Sequence, residues 1–288
     1  MSGTVSVVRS LAPLRAEVRA WREAGDSVAL IPTMGALHRG HLELMRLAKA
    51  RCRRAVASIF VNPAQFAPHE DFERYPRDEA GDLAKLAEVG CDLVWAPDRS
   101  QMYPEGFATR IVPGGTAEGL EAEFRPHFFA GVATVCCKLL TQVAPDIAVF
   151  GEKDYQQLCV VRQVVRDLDL PLQILGHPTV REPDGLAMSS RNAYLSAENR
   201  TAAPLLHRTI AAVARAVSAG GGAGGTAIAE GEAALQSAGF KVDYLEVRHA
   251  ETLRPAAPGS ERPLRVLVAA WLGKTRLIDN VQVPGIRD

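Results

Sequence analysis

Apolar and polar positions follow two different periods along the first 180 residues. Short runs rich in Val, Ile and Leu predict strands at residues 28–31, 55–61, 92–95, 147–150 and 172–175. Between these runs, apolar residues recur every three or four positions, which predicts helices at residues 14–21, 41–51, 83–89, 132–143 and 155–168. Alternating strands and helices are typical of an α/β fold, so we predict a Rossmann-like parallel sheet with helices on both faces.

The pattern changes after residue 178. Two long helical segments, at residues 196–218 and 226–238, flank a glycine-rich run at residues 220–225 that predicts a surface loop. Three strand-like runs follow at residues 242–247, 264–271 and 275–283. This order predicts a smaller C-terminal α+β domain, and we divide the chain into domains 1–180 and 181–288.

Length and charge narrow the classes of function. The 288 residues suggest one or two domains at roughly 150 residues each. Because 33 basic residues balance 33 acidic ones, the chain lacks the basic surface expected of a nucleic-acid-binding protein. The longest apolar run, residues 266–272, is far too short to cross a membrane. Five cysteines without a CxxC pair favour free thiols and a cytoplasmic protein.

The first predicted strand leads into the segment HRGH at residues 38–41, directly before a helix. His38 and His41 lie three positions apart, so both can face one ligand. The free N–H groups of a helix N-terminus attract phosphate, and Gly40 leaves room for a nucleotide. The alternative is that one histidine caps the helix while the other is an ordinary surface residue.

Four segments in order resemble the pantothenate synthetase (pantoate–β-alanine ligase) family. They are IPTMGALHRGH at residues 31–41, SIFVNPAQF at 58–66, FGEKDYQQ at 150–157 and REPDGLAMSSRN at 181–192. HRGH is also similar to the HxGH signature of the nucleotidyl-transferase superfamily. The resemblance implies an AMP-forming ligase that condenses pantoate with β-alanine through pantoyl adenylate and releases pyrophosphate. It further implies ATP with Mg²⁺, a homodimer, and a second domain that closes over the active site.

The resemblance assigns roles to individual residues. It implies ATP contacts from Met34, Gly35, Ala36, Leu37, His38, Arg39, Gly40, His41, Gly151, Glu152, Lys153, Asp154, Val180, Met188, Ser189, Ser190 and Arg191. Four of these residues carry the catalytic role, because donors must stabilise the charge that builds on the phosphates: His38, His41, Lys153 and Arg191. Asn62, Gln65 and Gln157 are assigned to pantoate, and Gln65 also to β-alanine. No metal-ligating residue is predicted.

One segment departs from the family pattern. The family usually has Arg-Pro-x-His-Phe-x-Gly-Val, whereas residues 125–132 read RPHFFAGV, with Phe128 at the usual histidine position. We expect a rearranged loop before a helix that begins near Phe129. In that loop Phe128 would pack inward, and His127 would face the cleft or solvent.

Other classes of protein stay open at this point. A nucleotidyltransferase acting on a phosphorylated acceptor would share HRGH but would transfer AMP permanently to its product. A tRNA-synthetase fragment would bind RNA, and a non-catalytic module would release no pyrophosphate. NAD-dependent chemistry is disfavoured because no GxGxxG follows the first strand.

Overall fold

The structure is a computed structural model that describes residues 5–67, 70, 72–220, 224–257, 260 and 262–285. The strands are β1 Ser6–Val8, β2 Val28–Thr33, β3 Arg54–Ile59, β4 Leu93–Trp95, β5 Ile147–Gly151, β6 Gln173–His177, β7 Phe240–His249, β8 Leu264–Leu272 and β9 Thr275–Gln282. The helices are α1 Leu11–Glu23, α2 Arg39–Arg51, α3 Glu79–Glu88, α4 Arg99–Met102, α5 Glu121–Phe124, α6 Phe128–Val143, α7 Tyr155–Asp167, α8 Ala197–Ala202, α9 Leu205–Ser218 and α10 Gly225–Ser237.

Strands β1 to β6 form a six-stranded sheet in the order β1-β4-β3-β2-β5-β6. All of its pairings are parallel. Strands β7, β8 and β9 form a separate antiparallel sheet in that order. The predicted Rossmann-like α/β fold with a smaller C-terminal α+β part is therefore confirmed.

Helices cover both faces of the parallel sheet because its strands are buried on both sides. In β2, Val28 and Leu30 join the hydrophobic cluster built with α1, α6 and α7. Ala29 and Ile31 point the opposite way, into the cluster built with α2 and α3. Side chains alternate across a strand, so a continuous apolar run supplies both clusters. A third cluster lies between α9 and the antiparallel sheet.

The structure differs from the predicted elements at several points. The helix predicted at residues 196–218 is two helices, α8 and α9, because Pro204 at the junction has no N–H to continue the first one. β1 was not predicted, since its three residues are too short for a periodic signal. Helix α6 begins at Phe128, earlier than expected. Half of the predicted glycine-rich loop, residues 221–223, lies outside the described residues.

The parallel topology brings the loops after β2, β3, β5 and β6 to one edge of the sheet. In parallel sheets this edge, at the carboxyl ends of the strands, is where ligands bind. Within the described part of the chain, no helix is both long and apolar enough to span a bilayer.

Candidate active site

The loop after β2 is fixed to helix α3 before it enters helix α2. Gly35 has a φ of 79°, in the left-handed region that glycine tolerates best. The backbone N–H of Leu37 donates to the buried Asp82 carboxylate at 2.7 Å, and Lys85 donates to the Leu37 carbonyl at 2.8 Å. These contacts set the point at which helix α2 begins, with His38 as its N-cap residue.

His38 and His41 form a reciprocal cap at the start of helix α2. The Nδ1 atom of His38 accepts from the Gly40 N–H at 3.1 Å. The Nδ1 atom of His41 accepts from the His38 N–H at 3.3 Å, and the two ring centroids are 4.1 Å apart. Because Nδ1 is an acceptor in both neutral rings, the Nε2 atom of each ring carries the hydrogen. Each histidine is therefore both a helix cap and an N–H donor.

Burial and positive neighbours keep both histidines neutral. Burial, together with the nearby Lys153 ammonium, lowers the pKa of His38 to about 4. Burial lowers the pKa of His41 to about 3, with contributions from His38 and Lys153. At neutral pH the pair therefore presents uncharged N–H donors beside a charged lysine, an arrangement suited to phosphate oxygens.

A cleft with a cavity volume of about 210 Å³ opens at the carboxyl edge of the parallel sheet. Most of the predicted site residues line it: Met34, His38, Gly40, His41, Asn62, Gln65, Gly151, Lys153, Asp154, Gln157, Val180, Met188, Ser189 and Ser190. Arg191 lies in an adjoining smaller cavity, which Lys153 and Ser189 also line. The structure thus brings the four motif segments together, with the nucleotide and acid candidates facing one space.

The other predicted ATP contacts lie behind this lining. The Gly35 N–H donates to the Thr33 hydroxyl at 3.2 Å, Ala36 follows it in the same turn, and Leu37 is buried. The exposed Arg39 donates to the carbonyl of Arg181 at 2.7 Å. The structure places these residues where they support the loop.

Glu152 also turns away from the cleft. Its carboxylate pairs with Arg265 of the antiparallel sheet at 3.2 Å. Its neighbours Lys153 and Asp154 line the cleft, and Asp154 makes no side-chain cap to α7 among the described residues. Within the described part of the chain, Asp154 is therefore a residue of the cleft wall and not a side-chain cap of α7.

Asn62 holds the turn that carries Gln65. Its side-chain oxygen accepts from the Ala64 N–H at 3.2 Å and from the Tyr103 hydroxyl at 2.7 Å. Its amide donates to the Gln65 side-chain oxygen at 3.0 Å and to the Gly131 carbonyl at 3.2 Å. These partners use the hydrogen-bonding capacity of Asn62, so its structural role is to orient Gln65, whose side chain lines the cleft.

The atypical segment enters helix α6 through a turn at residues 126–127, and the helix begins one residue before the expected start at Phe129. Phe128 is the first residue of α6, lines the cleft and lies under the Arg125 guanidinium, 3.9 Å from its ring centroid. His127 precedes the helix and is exposed. The inward packing of Phe128 is confirmed. An apolar aromatic ring therefore forms part of the cleft wall where the family usually has a histidine.

Sequence reasoning missed the apolar wall of the cleft and the segment after β6. The additional lining residues include Phe60, Val132, Val135, Leu139, Phe150, His177, Pro178 and Thr179. The position of residues 177–179 directly after a parallel strand was a signal that could have found them. The α6 residues had no such signal, because an apolar helix face looks the same against a core or a ligand.

Comparison with known proteins decides the family. The pantoate-beta-alanine ligase family model matches residues 6–282. The chain belongs to the pantoate-beta-alanine ligase family. It is therefore an enzyme of the class that ligates pantoate and β-alanine.

Relatives extend over almost the full length of both chains. A pantothenate synthetase of Bradyrhizobium sp. (strain BTAi1) is 58% identical over 284 residues, covering 98% of this chain and 100% of the relative. A pantothenate synthetase of Caulobacter vibrioides is 57% identical, covering 96% and 98%.

Solved structures of the ligase family share the fold. The pantothenate synthetase of Thermus thermophilus superposes with a TM-score of 0.91 at 48% identity, covering 97% of this chain and 99% of that one. The Francisella tularensis enzyme, solved with β-γ ATP and β-alanine, has a TM-score of 0.82 at 30% identity, covering 98% and 100%.

Proposed function

We propose that this chain condenses pantoate with β-alanine in two steps, with the cleft residues in the roles given below. The observation that carries the proposal is the pair of neutral histidine N–H donors facing the same cleft as Lys153 and Gln65. The related Francisella tularensis enzyme, solved with an ATP compound and β-alanine, supports the same substrates here.

In the first step, a carboxylate oxygen of pantoate attacks the α-phosphorus of ATP. The bond from that phosphorus to the bridging oxygen breaks, and pyrophosphate leaves with the electron pair. His38 and His41 donate from Nε2 to the phosphate oxygens, and Lys153 adds a positive charge as negative charge builds up. Arg191, with Ser189 beside it, holds the departing phosphates from the adjoining cavity.

In the second step, the uncharged amine of β-alanine attacks the acyl carbon of pantoyl adenylate. The acyl–oxygen bond to AMP breaks, the amine loses a proton, and an amide remains. Gln65 and Gln157 bind the hydroxyl and carboxylate groups of pantoate, because amides both donate and accept hydrogen bonds. The apolar wall around Phe128 packs against the carbon skeleton of pantoate and keeps water from the acyl phosphate.

Magnesium belongs to the proposal as the partner of ATP. The described residues contain no cluster of three or more His, Cys, Asp or Glu side chains that could hold a metal ion. Magnesium prefers oxygen ligands and keeps several waters, so the triphosphate itself can supply its ligands. When bound, the ion neutralises charge on the phosphates.

The proposed function also includes domain closure, a homodimer and a cytoplasmic location. We propose that residues 181–288 form a domain that closes over the cleft, and that two copies of the chain form a homodimer. We propose a cytoplasmic location, which the five free cysteine thiols in the described part of the chain support. Light scattering on the purified protein tests the dimer.

A product assay tests the proposed reaction. With ATP, pantoate and β-alanine together, we expect pyrophosphate, AMP and an amide product in equal amounts. Without β-alanine, pyrophosphate should appear in an amount equal to the enzyme and then stop. Continued turnover without β-alanine, with AMP attached to the product, would favour the nucleotidyltransferase alternative.

Two substitutions test the residue roles. His41→Ala and Lys153→Ala should each lower turnover by about 10²- to 10³-fold, the usual loss when a preorganised donor is removed. His127→Ala is the matched control, since His127 is exposed and outside the lining of the cleft. Melting temperatures that fall in step with activity would mean that the two residues support the fold instead.

A further inference from the structure

The turn that carries Lys153 is held from the antiparallel sheet. The Asn280 side-chain amide, on strand β9, donates to the Glu152 carbonyl at 2.8 Å and to the Lys153 carbonyl at 2.9 Å. The two carbonyls belong to the short 3₁₀ turn Glu152–Asp154 between β5 and α7. One side chain therefore fixes two successive peptide groups at the candidate catalytic lysine.

Arg265 on strand β8 fixes Asn280 in turn. Its guanidinium donates to the Asn280 side-chain oxygen and to the Glu152 carboxylate, the latter at 3.2 Å. The same group stacks on Tyr155, 3.7 Å from its ring centroid. Asn280 and Arg265 are 3% and 7% exposed, so water cannot easily replace these bonds.

Among the described residues, no side chain of the turn itself caps it, and the ion pair of Glu152 also leads to Arg265 of the antiparallel sheet. Gly151, which precedes it, has no side chain to cap it, and Asp154 at its end makes no side-chain capping bond to a described residue. The start of helix α2 is different, because His38 and His41 cap it themselves. The position of Lys153 relative to the histidine pair therefore depends on a contact from 127 residues further along the chain.

We propose that Asn280 is a positioning residue for catalysis, which sets the place of Lys153 by hydrogen bonding to its turn. This inference rests on the catalytic role of Lys153 proposed above. A donor that stabilises a transition state must be held in place before the reaction, and a displacement of about 1 Å can cost about 100-fold in rate. The C-terminal sheet would then contribute to catalysis without its own side chains touching the phosphates.

Two variants test the contact. Asn280→Asp has nearly the same shape and keeps the oxygen that accepts from Arg265, but it turns both donated bonds into oxygen–oxygen repulsion. Asn280→Ala removes the two donated bonds without adding repulsion. If Asn280→Asp does not fold, Asn280→Ala tests the positioning role by itself. We expect turnover to fall at least tenfold in either variant, while the KM for pantoate changes less than threefold.

A double-mutant cycle separates positioning from general support of the fold. If Asn280 acts through Lys153, its substitution should cost less than threefold in a Lys153→Ala background, measured with labelled ATP. Val268→Ala is the matched control, since Val268 lies in the core of the same sheet and not at the turn. It should lower the melting temperature and leave turnover within twofold.

Each outcome distinguishes positioning of Lys153 by Asn280 from general support of the fold. Equal losses in both backgrounds, or no loss of turnover from either Asn280 variant, would overturn the positioning role. Full activity of Lys153→Ala alone would instead overturn the proposed role of Lys153, so the two failures are distinguishable.

Discussion

Gly131→Ala should misplace the turn that carries Gln65. A Cβ atom at residue 131 would lie 2.3 Å from the Ala64 carbonyl oxygen and 2.8 Å from the Gln65 nitrogen. Real Cβ atoms essentially never come closer than 3.0 Å, so helix α6 and the turn must separate by at least about 0.7 Å. Both neighbours are backbone atoms, and no flexible side chain can yield instead. The Asn62 bond to the Gly131 carbonyl, at 3.2 Å, would lengthen as well.

Two opposing contributions set the change in the free energy of unfolding caused by Gly131→Ala. Overpacking costs about 1–3 kcal/mol in the free energy of unfolding, whereas replacing a helical glycine by alanine returns about 1 kcal/mol. The net change is therefore a loss of about 0–2 kcal/mol in the free energy of unfolding. Activity should respond more strongly, since a shift of about 1 Å can cost about 100-fold in rate. We expect kcat/KM for pantoate to fall 10- to 100-fold.

The assay is steady-state pyrophosphate release with pantoate and ATP varied separately. The KM for ATP should stay within about twofold, because the atoms nearest to the added Cβ belong to Ala64 and Gln65 and not to the residues assigned to ATP. Gly225→Ala is the matched control: Gly225 is also helical, and no described atom lies within 4 Å of the added Cβ. It should be neutral or slightly stabilising. Unchanged kcat/KM for pantoate in Gly131→Ala, or a KM for ATP that rises as much as the KM for pantoate, would refute the reasoning.

Three further predictions concern the same cleft. Because burial lowers the pKa of His38 to about 4 and of His41 to about 3, the unfolded chain takes up protons first, and stability should fall as the pH drops from about 6.5 towards 4. The melting temperature should depend less on pH in His41→Gln, and an unchanged slope would contradict the assignment. Asp82→Ala leaves the buried Leu37 N–H without its acceptor and should cost about 1–3 kcal/mol in chemical unfolding. Gln65→Ala should weaken pantoate use by a similar free energy, while ATP binding measured by calorimetry is retained; equal losses for both ligands would assign Gln65 to the fold.

The fold and the location of the cleft could be predicted because their signals are local and repeated. Strand–helix alternation gives a parallel sheet, and a parallel sheet brings the segments after β2, β3, β5 and β6 to one edge. Candidate residues from all four segments line one cleft for this reason. The resemblance added the ligands, which the spacing of residues did not specify.

The contacts between distant residues could not be predicted from the sequence. Asn280 and Lys153 are 127 positions apart. The apolar pattern of β9 does not distinguish a buried amide that donates to another backbone segment from any other polar residue of the strand. The role of Asn62 was hidden for a related reason. An amide before a proline is typical of both a turn and a ligand contact, and Asn62 has four hydrogen-bond partners while it also lines the cleft.

The two interpretations of the HRGH segment turn out to be one arrangement. Capping requires that Nδ1 of His38 and His41 accept backbone N–H groups. A neutral imidazole with an accepting Nδ1 must carry its hydrogen on Nε2, so the cap determines which nitrogen can donate to a ligand. Burial beside Lys153 then keeps both rings neutral. The cap needs neutral rings, because a charged imidazole has a hydrogen on Nδ1 and cannot accept the backbone N–H there. The helix cap thus prepares the donors on which the proposed chemistry depends, because the same bonds that begin α2 fix the tautomer of both histidines.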